Sequence, residues 1–289
     1  MSRLGFVYRY IREVGLRAKW TINLQNIESR DPILVYQMGK VGSSTIVSTL
    51  ERAGVTEPVL HVHTLVPEEI KIAVNRQRNS QVPFLHEHLI VSSIVGKKLG
   101  ASRFPCRIVT LTREPVARAI SFVFEDLKKQ APEARREDGS IDVSAVTRAT
   151  ERVLSAPDNG NADPSLWFDR ELKVSFGVDV FEHPYDFERG YTIIRSGNVP
   201  VLVMRMEDIN RAVCSALAEF LQIDPARIRL AEANVGVKKW YATYMDEVKR
   251  TLKLEDETLE RLIGTRYFQH FYASESERIT QRWVKAVSN

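Results

Sequence analysis

The sequence predicts an α/β fold in which a central parallel sheet is flanked by helices. Three observations carry that expectation. Short apolar runs alternate along the chain with longer stretches of helical period. Glycine or proline marks most of the joins. The first apolar run, Ile33 to Tyr36, passes through a turn holding Gly39 and Gly42 into a helical pattern. Strands separated by helices imply parallel pairing, with ligands at the C-terminal edge of the sheet.

The elements follow in order. A strand is expected at 33–37, a helix at 44–53 ended by Gly54, and a second strand at 58–63. Helices follow at 67–78 and 84–99, the latter closed by Gly100. A third strand falls at 106–112, and Pro115 then sits where a first helical turn accepts it, opening a helix to about 129. A fourth strand is expected at 199–204, a helix at 208–222, and a helical tail from about 238. The 130–165 stretch carries Pro132, Gly139, Pro157, Gly160 and Pro164 around a helix at 142–154, and reads as an insertion or lid. No internal repeat or low-complexity tract interrupts the pattern.

The 289 residues suffice for one large α/β domain, here 30–289, and 44% hydrophobic content supplies its core. Residues 1–29 stand apart. Arg3, Arg9, Arg12, Arg17 and Lys19 alternate with Leu4, Phe6, Val7, Tyr10, Ile11, Val14 and Leu16, a basic amphipathic helix. Such a helix can pack on the domain, or residues 1–20 can lie on an anionic membrane surface. The net charge of +4 suits an anionic ligand, but the charge is dispersed, and no nucleic-acid partner is expected. Cys106 and Cys214 lie in apolar contexts and read as core thiols, which suits a reducing, cytoplasmic compartment. There is no apolar run of about 18 residues to span a bilayer and no signal-peptide pattern.

The 33–45 stretch bears the chemistry. A strand, a glycine turn and a helix N-terminus form an anion site, because the first helical N–H groups lack partners and the helix dipole favours negative charge. Lys40 adds a cation there, Gly42 allows close approach, and Ser43, Ser44 and Thr45 add hydroxyl donors. Lys40 precedes Gly42, whereas the lysine of a Walker A loop follows its second glycine. A second group of donors follows the third strand, where Arg113 stands at the strand's end and Ser121 two turns into the next helix. Arginine supplies a planar fork of donors for a phosphate. Taken alone, each motif also has an ordinary reading, a surface lysine or an arginine paired with a carboxylate.

Together, the glycine–lysine turn and Arg113-x-Pro115-x5-Ser121 resemble the P-loop-like sulfotransferases that use 3′-phosphoadenosine 5′-phosphosulfate (PAPS). The resemblance implies a P-loop-like three-layer fold. It implies that Lys40 to Thr45 bind the 5′-phosphosulfate and that Arg113 and Ser121 bind the 3′-phosphate. The run Val-Leu-Val-Met-Arg205-Met-Glu207-Asp208 also looks like that family. Trp167 to Glu171, Gly177 to Val180, Asn234 to Tyr241 and Tyr267 to Tyr272 are similar to a bacterial subgroup named for an Asn-Lys-Trp-Tyr-Ser motif and associated with capsular polysaccharide synthesis. Here Ala242 replaces the serine. The resemblance spans roughly 30–275 and implies a carbohydrate or other cell-surface hydroxyl as acceptor.

Sulfuryl transfer needs a base for the acceptor hydroxyl and a cation at the leaving oxygen, and no metal. Lys40 is the candidate cation. Histidine suits a base near neutrality, and His61 and His63 share a strand face by alternation; the resemblance implies His63 as the first candidate base. His88, with His86 and Glu87, forms the second group. Four histidines could also hold zinc, but no accompanying Cys or carboxylate pattern supports that. Lys238 and Lys239 are candidates for the 3′-phosphate or the adenosine, or form a solvated helix start, and Trp240 and Tyr241 are candidates for adenine stacking or plain packing. Arg205, Glu207 and Asp208 read as structural pairs at a strand-to-helix turn. The competing readings are a non-catalytic nucleotide-binding protein, a capsule-assembly scaffold and a kinase-like phosphotransferase.

Overall fold

The structure, a computed structural model, describes residues 3–80, 84–101, 104–155, 164–195, 199–231 and 239–285. Five strands form one sheet: β1 (Ile33–Tyr36), β2 (Val59–Val62), β3 (Arg107–Thr112), β4 (Tyr191–Ile194) and β5 (Val201–Arg205), in the order β2-β1-β3-β5-β4. The sequences of the strands follow their positions. β1 and β5 are buried at every residue, so both faces demand apolar side chains. β2, on the edge, alternates half-buried and buried residues.

Three of the four pairings are parallel: Ile33 sits opposite both Val59 and Arg107, and Thr112 opposite Arg205. The expectation of an all-parallel sheet is corrected at β4, which pairs antiparallel with β5, Tyr191 opposite Met204. The link from Ile194 to Val201 is far shorter than the dozen or so residues a parallel crossover requires, so the pairing has to be antiparallel.

The helices are α1 (Arg3–Asn23), α2 (Ser43–Arg52), α3 (Pro67–Arg78), α4 (Glu87–Ala101), α5 (Pro115–Glu125), α6 (Leu127–Gln130), α7 (Val143–Ser155), α8 (Val174–Phe176), α9 (Ile209–Leu221), α10 (Ala242–Thr251), α11 (Asp256–Ile263), α12 (Arg266–Phe271) and α13 (Ser276–Trp283). The single helix expected from Pro115 to about 129 is divided, since Asp126 leaves helical geometry at φ −122° and ψ 49°. Gly100 lies inside α4 and does not close it. Within the 130–165 stretch, expected as an insertion or lid, α7 buries Ala145, Val146, Ala149, Val153 and Leu154 and packs against α5 and α10. A π-helical turn at Phe168–Lys173 leads into α8.

The topology places the site. The chain leaves β1 for β2 on one side, then returns across β1 to β3 on the other. The loops after β1 and β3 therefore diverge, and the crevice between them is where ligands bind in open α/β sheets.

Candidate active site

The turn after β1 is conformationally demanding. Lys40 has φ +72° and Gly42 φ +98°, both left-handed. The torsion favours glycine at 42, and a Cβ there would lie 2.6 Å from Met206 Sδ and displace that side chain. Gly42 caps α2 without any side-chain hydrogen bond, and the first turn of α2 carries no acidic residue. Its N-terminal amides thus face the crevice with the dipole uncompensated by a capping carboxylate. α5 differs: Glu114 accepts hydrogen bonds from the amides of Val116 and Ala117, both at 2.8 Å, so that helix terminus is capped by its own chain. What α5 and the end of β3 offer the crevice is side chains.

A cleft of about 410 Å³ opens at this place, a size ordinary for a small-molecule site. From the β1–α2 turn it is lined by Gly39, Lys40, Gly42, Ser43, Ser44 and Thr45. β2 and the residue after it contribute His61 and His63, and α4 contributes His88. Arg113, Ser121, Met206 and Lys239 complete the set of expected residues and their neighbours. Lys40, His61, His63, His88, Arg113, Ser121 and Lys239 are therefore brought to one cleft from six separate stretches of chain. Lys238 lies outside the described residues.

The loops are tied together by the cations themselves. Arg113 Nη1 donates to the Lys40 carbonyl at 3.0 Å, and Arg118 Nε donates to the Gly39 carbonyl at 3.0 Å. Arg118 is 1% exposed and lines the cleft, as do Phe122 and Glu125. These three were not singled out by motif. With Ser121 they occupy positions i, i+3, i+4 and i+7 of α5, one helical face, which is the signal that marks them. Glu125 pairs with Lys40 at 3.3 Å and with Lys239 at 2.9 Å. Burial opposes the charge on Glu125, but the two lysines outweigh it and hold its carboxyl below the usual range. Burial lowers the Lys40 pKa, with Glu125 acting in the opposite direction. Four cations face one carboxylate among the described lining residues.

The histidines form a cluster opposite the glycine turn. Ring centroids of His61 and His63 lie 4.6 Å apart, and those of His63 and His88 5.0 Å apart. Burial is the first cause of their low basicity: the pKa is pulled to about 4 for His61 and to about 3 for His63 and His88, aided by the neighbouring imidazoles. All three are neutral at pH 7. His63 Nδ1 lies 2.7 Å from the Gln37 carbonyl, which can only accept. That contact puts the proton on Nδ1 and leaves the Nε2 lone pair available. His61 Nε2 is buried with no hydrogen-bond partner among the described residues. His86 is exposed and stacks on His88 without lining the cleft. Glu87, the other candidate in that stretch, accepts from Trp20 Nε1 at 2.7 Å and sits 3.7 Å from Lys19, so its carboxylate serves α1. Among the described residues no group of three or more histidine, cysteine or carboxylate side chains is arranged to hold a metal ion.

Residues 156–273 match the family model described as "Putative capsular polysaccharide synthesis protein". No curated protein and no solved structure matches the chain. The family match supports the capsular subgroup seen in the Trp167 and Trp240 stretches, and it ends short of the glycine–lysine turn and Arg113.

The matched segment nevertheless shapes the cleft from behind. Tyr267 Oη receives the Arg113 amide at 2.9 Å and donates to the Arg113 carbonyl at 2.8 Å, fixing the end of β3. Glu207 accepts from the Glu114 amide at 2.9 Å and from Tyr272 Oη at 3.1 Å. Glu171, on the π-helical turn, accepts from Tyr36 Oη, Thr64 Oγ1 and the Leu65 amide, joining the ends of β1 and β2. Burial raises its pKa despite those donors. Arg205 pairs with Asp208 at 2.6 Å and with Glu275 at 2.6 Å, the structural pairing expected at that turn. Trp167 is buried and donates from Nε1 to the His63 carbonyl at 3.0 Å. Tyr241 is buried on Phe124, whereas Trp240 is exposed.

Proposed function

We propose that the protein is a sulfotransferase that moves the sulfuryl group of PAPS to a hydroxyl of a carbohydrate acceptor. The observation that carries this reading is the meeting of two anion-binding elements, the uncapped N-terminus of α2 with Lys40 and the Arg113–Ser121 face of α5, in one cleft edged by neutral histidines. A nucleotide phosphorylated at both ends suits two such elements. The family match at 156–273 supports polysaccharide synthesis, from which the carbohydrate acceptor is inferred.

PAPS, as substrate, supplies a sulfur whose bond to the bridging phosphate oxygen breaks as the acceptor oxygen bonds to it. Lys40 and the α2 amides stabilise the negative charge that develops on the departing oxygen. Arg113 and Ser121 hold the 3′-phosphate. His63 Nε2 takes the acceptor proton, its ring oriented by the bond to the Gln37 carbonyl. In the free protein His63 is a weak base, with a pKa of about 3. Bound phosphate and sulfonate charge beside it favours the imidazolium and raises that value, so the base gains strength when the donor is in place.

Calorimetric titration with 3′-phosphoadenosine 5′-phosphate, against ATP and adenosine 5′-phosphate, tests the reading. The bisphosphate is expected to bind at least ten-fold more tightly than either competitor, with that preference lost in Arg113→Ala. Because Arg113 also holds the Lys40 carbonyl, Ser121→Ala is included, and it should reduce the preference without displacing the turn. Equal binding of ATP and the bisphosphate would overturn the assignment. A donor that binds but is not turned over by His63→Gln, with affinity unchanged, is the result expected for the base.

A further inference from the structure

α1 is bound to the body of the protein by one face only. On that face Glu13 is buried, and it accepts from the Leu85 amide at 3.0 Å and from Arg78 Nη1 at 3.0 Å. Leu16 and Trp20 pack against Leu85, Leu89 and Ile90, and Trp20 Nε1 is tied to Glu87. The helix therefore already has its intramolecular partner. At 3.6 residues per turn, Val7, Ile11, Val14, Ala18 and Ile22 fall within a stripe about 80° wide, opposite Glu13, Leu16 and Trp20. This stripe faces solvent: Ile11 is 63% and Ile22 70% exposed. Six of the ten exposed large apolar side chains described lie on α1. A contiguous outward apolar face of that kind marks an interaction surface.

We propose that this outward face of α1 docks the protein onto the surface of an anionic lipid bilayer. The charges flanking the stripe identify the occupant. Arg12 and Lys19 border it on one side and Arg17 on the other, while the helix's single carboxylate, Glu13, is buried on the docked face. Tyr8 and Tyr10, both exposed, stand at the two margins of the stripe, where amphipathic rings sit at a headgroup boundary. A second copy fits less well, since an isologous contact would set these basic flanks against themselves. Negative lipid headgroups complement them. No helix among the described residues is long and apolar enough to cross a membrane, so α1 lies on the surface. Its attachment through Glu87, next to His88, joins the lipid-facing helix to the α4 turn that borders the cleft.

The test is co-sedimentation of the full chain with phosphatidylcholine vesicles and with vesicles containing phosphatidylglycerol, at two salt concentrations, beside sedimentation velocity of the protein alone. Binding to the anionic vesicles is expected, at least ten-fold weaker for Ile11→Glu with Ile22→Glu, and weakened by salt and by Arg12→Glu. These side chains are exposed, so the melting temperature of each variant should match the wild type, which separates lost docking from lost folding. No preference for anionic vesicles, or unchanged binding of the Ile11→Glu, Ile22→Glu variant, would overturn the proposal. So would a wild-type dimer that becomes monomeric in that variant without any vesicle binding.

Discussion

The glycine–lysine turn with the α5 face, and the matched segment behind them, meet the same cleft by different physics. The first gathers four cations around one carboxylate and takes left-handed backbone at Lys40 and Gly42. In the second, buried Glu171, Tyr267 and Tyr272, with the exposed Glu207, direct their hydrogen bonds to the ends of β1, β2 and β3. Side chains that line the cleft and side chains that hold the strand ends thus come largely from separate parts of the chain, with Lys239 of the matched segment lining the cleft as well. Changes in the first region should alter binding and turnover at nearly constant stability. Changes in the second should alter stability first.

The sharpest separation is expected from Lys40→Ala. If Lys40 stabilises the departing charge, turnover should fall by roughly 10²–10³, with the melting temperature almost unchanged, since its ion pair with Glu125 is partly exposed. A large loss of stability with intact turnover would erase the distinction.

Glu171→Ala is the converse experiment. It leaves Tyr36 Oη, Thr64 Oγ1 and the Leu65 amide without their acceptor in a buried place, and should cost about 3 kcal/mol in denaturant unfolding. A variant as stable as the wild type would show that the network does not hold the strand ends.

The histidine cluster adds a pH dependence whose sign is fixed. Folded pKa values of about 3 to 4 lie below the ordinary 6.5. Between these limits the unfolded chain binds protons that the folded one does not. The histidine contribution is therefore complete above about pH 6.5 and is lost as pH falls toward the folded values. Each histidine contributes a slope of up to about 1.4 kcal/mol per pH unit. Replacing His88 with Asn should flatten the stability-against-pH curve by that amount between pH 6 and pH 4, as read from urea midpoints. An unchanged slope would place the charge of His88 in solvent.

The smallest effect concerns Glu125. Its carboxylate occupies the two lysines, so an anionic ligand has to displace it. Glu125→Gln should tighten binding of the bisphosphate a few-fold, in line with the value of about 1 kcal/mol or less for exposed pairs. Weaker binding would mean that Glu125 positions the lysines for the ligand.

Much of this was visible in the residues. The apolar runs Ile33–Tyr36 and Val201–Met204 mark central strands because no charged residue interrupts them. The glycine turn, Lys40 and Arg113 could be found because unusual backbone and isolated charge at strand ends leave a local trace. β4 was hidden, being four residues long with no alternation to separate it from a loop. Arg118 and Glu125 were hidden for another reason: a charged residue on a helix reads as solvated until the helix is seen packed against a turn.

Local order and composition thus set the alternation of strands and helices, the glycine–lysine turn and the basic, amphipathic character of the first twenty residues, because each depends on neighbours a few positions apart. That the β1 and β3 loops open into one crevice follows instead from the strand order β2-β1-β3-β5-β4, which pairs segments far apart in the chain. Packing likewise decided that His61, His63 and His88 meet as neutral rings, because their burial is set by distant elements folding over them.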